Sequence, residues 1–521
     1  MNQTAKEKEY SAYGRDAEEK GNVVAFRMEK ADAVETLRRL YFGDKLQLLT
    51  VMACDERRDG AGFKVCYLFG LPGGGEFIMP YVIAENGEFP SVTKDIHEAS
   101  GYERKIMSFF GLTPVGHPHA RAMLLHENWP ADAFPLRKDF DGKKRPPEAK
   151  GAYEFQTVEG EGIYEIPVGP VHAGIIEPGH FRFSMAGEEV VNLEPKLGYK
   201  HKGVEKLFET LPLADKLRLS ERVSGDTSFT HSLAFCQALE TLGGIEAPER
   251  AKFLRVIFSE LERLAAHFND FGFVLSDTGF SFGGANGTRL RETVMQWNER
   301  LTGSRFLRGV NAIGGVNKDI SAADAEKLAA YLKHLRRDFE QVVAISLDST
   351  TADNRLEGTG RLDHQIAADH GVMGIAGRAV GIARDARVDY PYAAYGKLKF
   401  KSAHETEGDV KARLKVRITE ARASIGLIEE ALKGMPSGEI KSSAALKLPA
   451  DSMAVGISEA WRGTVVYTVM TDKTGEISRV DVRDPSFINW TVVGHAGKGN
   501  IVPDFPLINK SFNLSYSGND L

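Results

Sequence analysis

The feature that most limits the fold is the stretch 249–275, where Leu254, Ile257, Phe258, Leu261, Leu264, Ala265 and Phe268 recur at i, i+3, i+4 and i+7 behind Pro248. Apolar residues at that spacing line one side of an α-helix, and proline is tolerated at a helix start because its missing N–H would have no intrahelical partner there. One long face is therefore buried. Similar spacing predicts helices near 230–242, 286–302, 322–347, 363–382 and 408–434, so the chain from about residue 162 onward reads as mostly helical. A run of two β-branched segments around Asp472-Lys473-Thr474-Gly475 predicts a hairpin on that helical body.

The N-terminal third has a different character. FKVCYLFGL and EFIMPYVIAE flank Pro72-Gly73-Gly74-Gly75 and read as a hairpin, while Ala31 to Tyr41 and YERKIMSFFGL carry helical spacing. Those glycines lack the strand–GxGxxG–helix context of a phosphate loop. Residues 1–25 are charged and without periodicity, and read as a loose tail. Residues 141–161 are rich in charge, proline and glycine, and read as a linker. The division expected is 26–140 for a small α/β domain and 162–521 for the helical one. The fold class is α+β, with peripheral hairpins on the helical domain.

At 521 residues the chain is too long for one core. A net charge of −6 gives no basic field to gather nucleic acid. No uninterrupted apolar stretch of about 18 residues occurs, and the polar start has no apolar signal segment. Three cysteines, Cys54, Cys66 and Cys236, form no CxxC pair, so any iron–sulfur cluster belongs to a partner.

Four separated stretches carry a family resemblance. Ile166–His172, Glu177–Phe181 and Leu197–Lys206 (LGYKHKGVEK) resemble the start of large subunits of membrane-bound energy-converting [NiFe]-hydrogenases and of the homologous quinone-pocket subunit of respiratory complex I. Arg222–His231 (RVSGDTSFTH) lies where those hydrogenases carry RxCGxCxxxH. Glu459–Gly463 (EAWRG) and Arg483–Asn489 (RDPSFIN) resemble the C-terminal hairpin that ends in DPCxxC. Tyr102-Glu103-Arg104, Gly116-His117-Pro118 and Pro135–Phe140 resemble the small α/β subunit of complex I. The resemblance spans roughly 30–521, and fusion of the two parts is similar to the large subunits of formate hydrogenlyase and hydrogenase-4.

The resemblance places the four metal-binding cysteines at Ser224, Thr227, Ser486 and Asn489. A nickel–iron centre needs soft thiolates, and hydroxyls and an amide are weak ligands for it, so no [NiFe] centre and no hydrogen turnover are expected, and no cofactor is assigned to this chain. Quinone is a candidate acceptor. Gly225 stands where complex I has a quinone-gripping tyrosine, Asp277 matches the family aspartate, and the pocket histidine is His172 or His180. These three are the candidate proton and quinone pocket, the alternative being that both histidines satisfy loop carbonyls. Arg222 is implied to lie near the partner's terminal cluster, or else to form an internal salt bridge. His231 points toward the same cluster or is a core histidine.

Other patterns have plainer readings. Glu260, Arg263, His267 and Asp270 share one side of the long helix and read as a solvated face with weak pairs, or as a face toward a partner or proton path. His117, His119 and His126 lack carboxylate or thiolate ligands at metal spacing. Gly371, Gly374, Gly377 and Gly381 read as one helix stripe for close packing. The function implied is that of a peripheral-arm subunit of a hydrogenase-4-like or NADH:quinone oxidoreductase-like complex, with no nicotinamide site of its own. It would pass electrons from a partner's cluster to a quinone or other small acceptor and couple this to ion movement. Expected partners are a small iron–sulfur subunit, antiporter-like membrane subunits and a ferredoxin-like cluster subunit, at the cytoplasmic face of the inner membrane. The other readings are a non-catalytic scaffold or coupler, including one for inorganic-carbon transport, and a freestanding soluble enzyme.

Overall fold

The computed structural model describes residues 15–173 and 176–521. Its N-terminal part is a five-stranded sheet in the order Arg15–Lys20, Val23–Arg27, Glu76–Ile83, Gly62–Leu71, Gln47–Glu56. Neighbours are antiparallel except Val23–Arg27 and Glu76–Ile83, which run parallel. The tail expected over 1–25 is corrected from Arg15 onward: Val23 and Val24 are buried, and their strand pairs with one some fifty residues away that local sequence does not point to. The hairpin across Pro72–Gly75 forms as expected.

Strand residues alternate between the two faces of a sheet, and here both faces are covered. Leu48, Val51, Ala53, Val65, Tyr67 and Phe69 pack with Tyr102, Ile106 and Phe109 of the helix Ser100–Phe110. Leu49, Met52, Cys54, Cys66 and Leu68 join the large core of the helical part. The C-terminal strands make that join. Met453–Ala460, Gly463–Thr471 and Ile477–Arg483 form a three-stranded antiparallel sheet, one strand more than the expected hairpin, and its middle strand is buried throughout. Thr50 Oγ1 donates to Asp481 (2.9 Å), and Arg483 donates to the Leu49 carbonyl (2.8 Å). From Gly116 to Gly162 the chain has no helix or strand.

The central helix is Glu249–Asp277, packed by Ser228–Gly243, Ser281–Thr302 and Val410–Gly434. It joins Ser281–Thr302 through a short turn, and near that turn the two backbones touch. A Cβ on Gly287 would lie 2.4 Å from the Gly272 Cα, and one on Gly272 would lie 2.9 Å from the Gly284 carbonyl oxygen. Only hydrogen side chains permit this approach.

Two expectations are corrected here. The stretch 363–382 is two short helices, His364–Asp369 and Gly374–Arg378, because Gly371, Gly374 and Gly381 take positive φ. These glycines do serve close approach, but in turns: a Cβ on Gly374 would strike the Arg462 carbonyl, and one on Gly371 the Glu98 carboxyl. The stripe Glu260, Arg263, His267 and Asp270 is fully buried. Each charge has a partner from a distant segment, which is what makes burial tolerable. Glu260 meets Arg387 (3.1 Å), Tyr395 Oη and Ser424 Oγ (both 2.6 Å). Arg263 donates to the carbonyls of Glu459 and Ala460, His267 bonds Glu420 (2.9 Å), and Asp270 meets Arg417 (2.9 Å).

Replacing Gly287 with valine should wedge the two helices apart and cost about 1–3 kcal/mol or more. Thermal melts followed by circular dichroism should show a lower midpoint for Gly287→Val, and an unchanged midpoint would mean the helices need not touch there.

Candidate functional site

Beyond the glycine contact the paired helices leave a cavity of about 470 Å³. Glu262, Ala266, Asn269 and Asp270 line it from one helix, and Thr288, Arg291, Met295 and Asn298 from the other. Its floor is the turn Ser224-Gly225-Asp226, with Trp461 and Arg462 from the loop between two C-terminal strands. Asn513 to Ser517 and Lys510 close one side.

At that floor the Arg462 guanidinium is held by Asp226 through two parallel bonds, Nη1 to Oδ1 at 2.7 Å and Nη2 to Oδ2 at 2.8 Å. Such a fork fixes both distance and plane. Nη1 also lies 3.4 Å from Ser224 Oγ and 3.3 Å from Thr227 Oγ1, Nε donates to the Asn513 carbonyl (2.5 Å), and the plane stacks on the Trp461 ring. Ser224 Oγ lies 2.9 Å from Ser515 Oγ, and Ser486 Oγ accepts from the Ser515 N–H (3.0 Å). Asn489 donates to the Met373 carbonyl (3.1 Å) and lies 3.5 Å from the Arg462 carbonyl. Of the four positions matched to metal-binding cysteines, Ser224 and Thr227 thus lie against a buried guanidinium, while Ser486 and Asn489 bond to backbone groups. Hydroxyls already bonded to a carboxylate and to a neighbouring serine, with a guanidinium within 3.4 Å of two of them, do not fit a nickel–iron pair. Among the described residues no group of three or more His, Cys, Asp or Glu is placed to hold a metal ion.

Electrostatics divide the carboxyls of this cavity. Asp226 stands at the cavity floor with 48% of its side chain exposed. Burial pushes its pKa up, but the Arg462 charge and fork, with Ser224 and Thr227 donating, hold it down at about 2. Glu262 is the opposite case. Its carboxylate accepts from the N–H groups of Phe229 (2.7 Å) and Thr230 (3.1 Å) and from Thr230 Oγ1 (2.5 Å), at the start of the helix Ser228–Gly243. Burial dominates over those donors, and with the nearby Asp226 charge it raises the Glu262 acid to about 7.

The expected site residues are not all brought together. Ser224 lines the cavity, and Glu177 does so from the stretch that carries the two histidines. His172 Nε2 bonds the Gly179 carbonyl (2.7 Å), and His180 Nδ1 lies 3.4 Å from the Gly169 carbonyl. Burial lowers the pKa of His180. Asp277 pairs with Lys510 (2.6 Å), which does line the cavity, and no hydrogen bond or ion pair links Asp277 to either histidine. His231 is a core histidine, locked between Tyr467 Oη and Asp484 Oδ2 at 3.0 Å each. Arg222 is exposed, makes no ion pair among the described residues, and donates to the Arg218 carbonyl (2.8 Å). His117 bonds Ser100 Oγ (3.2 Å) and His126 bonds the Leu197 carbonyl (2.9 Å). Sequence reasoning missed Asp226, Arg462, Glu262 and Arg291. The first two lie inside the quoted motifs RVSGDTSFTH and EAWRG.

Comparison with known proteins agrees with this layout. The family model for "Respiratory-chain NADH dehydrogenase, 49 Kd subunit" matches residues 277–455 and 442–520, and that for the "30 Kd subunit" matches residues 26–146. Formate hydrogenlyase subunit 5 of Escherichia coli (strain K12) is 35% identical over 494 residues, covering 93% of this chain and 87% of that protein. Hydrogenase-4 component G of the same organism is 34% identical, covering 93% and 86%. A chain of the membrane-bound sulfane sulfur reductase, an archaeal respiratory membrane complex, superposes with a TM-score of 0.65 at 28% identity, covering 69% of this chain and 99% of that one.

The depressed Asp226 acid sets a pH test. A carboxyl whose folded pKa lies below its ordinary value of 3.8 adds stability above that value, and this is lost as pH falls toward the folded one. The melting gap between wild type and Asp226→Asn should therefore be constant above about pH 4 and narrow toward about pH 2. A gap that does not narrow there would show that the pair contributes nothing through charge.

Proposed function

Because the chain belongs to the family of fused 30 Kd-like and 49 Kd-like large subunits of membrane-bound hydrogenase and complex I-like assemblies, we propose that it is a peripheral-arm oxidoreductase subunit whose cavity receives a small electron acceptor. The observation that carries this reading is the cavity, floored by Arg462 and by Ser224 and Asp226, which lie in the same motif as Arg222. Arg222, exposed and without an acidic partner among the described residues, would face the terminal cluster of a small iron–sulfur subunit and favour its reduced form. Electrons would cross from there to the acceptor. The sulfane sulfur reductase named above makes a non-hydrogen acceptor reasonable for this architecture; a quinone is the other candidate.

No helix among the described residues is long and apolar enough to cross a membrane, so attachment would run through antiporter-like membrane subunits at the cytoplasmic face, with ion movement coupled to the redox step. A ferredoxin-like cluster subunit would complete the electron path. The division into 26–140, 141–161 and 162–521 is retained as a proposal, with the first unit begun at Arg15. Asp277 is assigned an indirect role, holding Lys510 at the cavity wall, while His172 and His180 shape the adjoining loop. The tight bonding of Ser486 and Asn489 to the backbone favours a second reading, a scaffold or coupler without turnover, including one in inorganic-carbon transport.

One experiment separates the two. In the copurified complex, Ala266→Phe places a ring in the cavity and should slow reoxidation of the reduced partner cluster by decylubiquinone or polysulfide at least tenfold, with the cluster's paramagnetic resonance spectrum unchanged. Equal rates in both proteins would remove the cavity as the acceptor site and leave the scaffold reading.

A further inference from the structure

The charged side chains around the cavity are nearly all spoken for. Arg462 is held by Asp226, Arg305 by Glu292 (2.5 Å), Lys510 by Asp277, and Asp270 by Arg417 and Asn513. Glu177 accepts from the Ser517 N–H, and Lys200 stands 3.8 Å away. Arg291 is the exception. It lines the cavity half-buried, one turn after Thr288 and one before Met295, and among the described residues it has no hydrogen-bond or ion-pair partner. An unpaired guanidinium on a cavity wall, with five N–H donors in a fixed fork, is suited to carboxylates and oxoanions.

Glu262 stands on the opposing helix of the same cavity. The charged groups that share its cavity are Asp226 from the floor turn, Arg462 bound to Asp226, Arg291 and Arg305 from the second helix and its following loop, Asp270 two turns along its own helix, and Glu177 and Lys510. Arg308 reaches the Gly225 carbonyl and Ser228 Oγ at 3.4 Å. The first turn of the helix that Glu262 caps holds Ser228, Phe229, Thr230 and His231, and His231 is turned to Tyr467 and Asp484. With Glu262 ionised, its charge adds to that of Asp226 beside it and opposes an incoming anion; with Glu262 neutral, that repulsion falls.

We propose that the cavity binds a small carboxylate or oxoanion on Arg291 and takes up one proton from solvent on the Glu262 carboxylate as it does so. The proposal rests on the reading of the cavity as the acceptor site and names the class of molecule it admits. Binding and protonation are the whole of it: no bond of the anion breaks, and the proton comes from water. The resting acid of Glu262 near 7 supports the coupling, since an anion brought into a low-dielectric space favours the neutral carboxyl. Uptake is then largest just above neutral pH, where Glu262 starts ionised, and fades below about pH 6, where it starts protonated.

Titration calorimetry tests this on the full chain with its copurified partners, with no electron transfer involved. Acetate and sulfate are the probes, chloride is the control, and each titration is run in two buffers of different ionisation enthalpy at pH 7.5. Wild type should bind at least one probe more tightly than chloride with net proton uptake. Arg291→Gln should weaken binding at least tenfold, and Glu262→Gln should still bind while losing the buffer dependence. Arg300→Gln, which removes an exposed arginine of the same helix outside the cavity, controls for general loss of positive charge and should keep both binding and uptake. Binding unaffected by Arg291→Gln, uptake that persists in Glu262→Gln, or no binding of either probe would each overturn the proposal. The cluster-reoxidation experiment remains a separate judge of the redox reading, because it needs no anion to bind.

Discussion

The fork between Arg462 and Asp226 is the contact on which the rest of the site depends. A guanidinium left only 5% exposed at the floor of a cavity would be costly alone, because the interior screens charge poorly. Asp226 supplies the opposite charge, and Ser224, Thr227 and the Asn513 carbonyl share the remaining donors. That arrangement makes the hydroxyls of Ser224 and Thr227 supports for an organic cation. It also couples the ends of the helical part, since Asp226 precedes the helix Ser228–Gly243 while Arg462 and Asn513 belong to the C-terminal segment.

The cavity exists because two constraints act at opposite ends of one helix pair. Gly272, Gly284 and Gly287 press the helices together near their turn, and bulkier, polar residues hold space open farther along. The buried charges of the central helix stiffen the same region. Each has a partner from 378–424 or from the strand end at 459–460, so the helix is fixed in rotation as well as position. The result is a cavity held in a fixed frame, with an exposed arginine in the motif that forms its floor.

Much of this architecture was legible in the chain. The apolar spacing after Pro248 marks the central helix, and Asp472–Gly475 marks a strand turn, because both depend on local periodicity. What stayed hidden depends on distant pairing. Val23–Arg27 joins a sheet through a parallel partner, and the stripe from Glu260 to Asp270 looks solvated until Arg387, Arg417 and Glu420 are brought against it. Likewise Gly371 and Gly374 match a helix stripe by spacing, but their backbone angles are set by the Glu98 side chain and the Arg462 carbonyl pressing on them. Within the site, the motifs located Ser224 and Arg222, whereas the partnership of Asp226 with Arg462, across more than two hundred residues, needed the fold.

The most direct measurement is anomalous diffraction or a high-resolution density map of the assembled complex, recorded at the floor of this cavity with data on both sides of the nickel edge. The account predicts planar guanidinium density joined to Asp226 and no anomalous peak between Ser224, Thr227, Ser486 and Asn489. A metal peak within bonding distance of those side chains, with Arg462 displaced from Asp226, would contradict it.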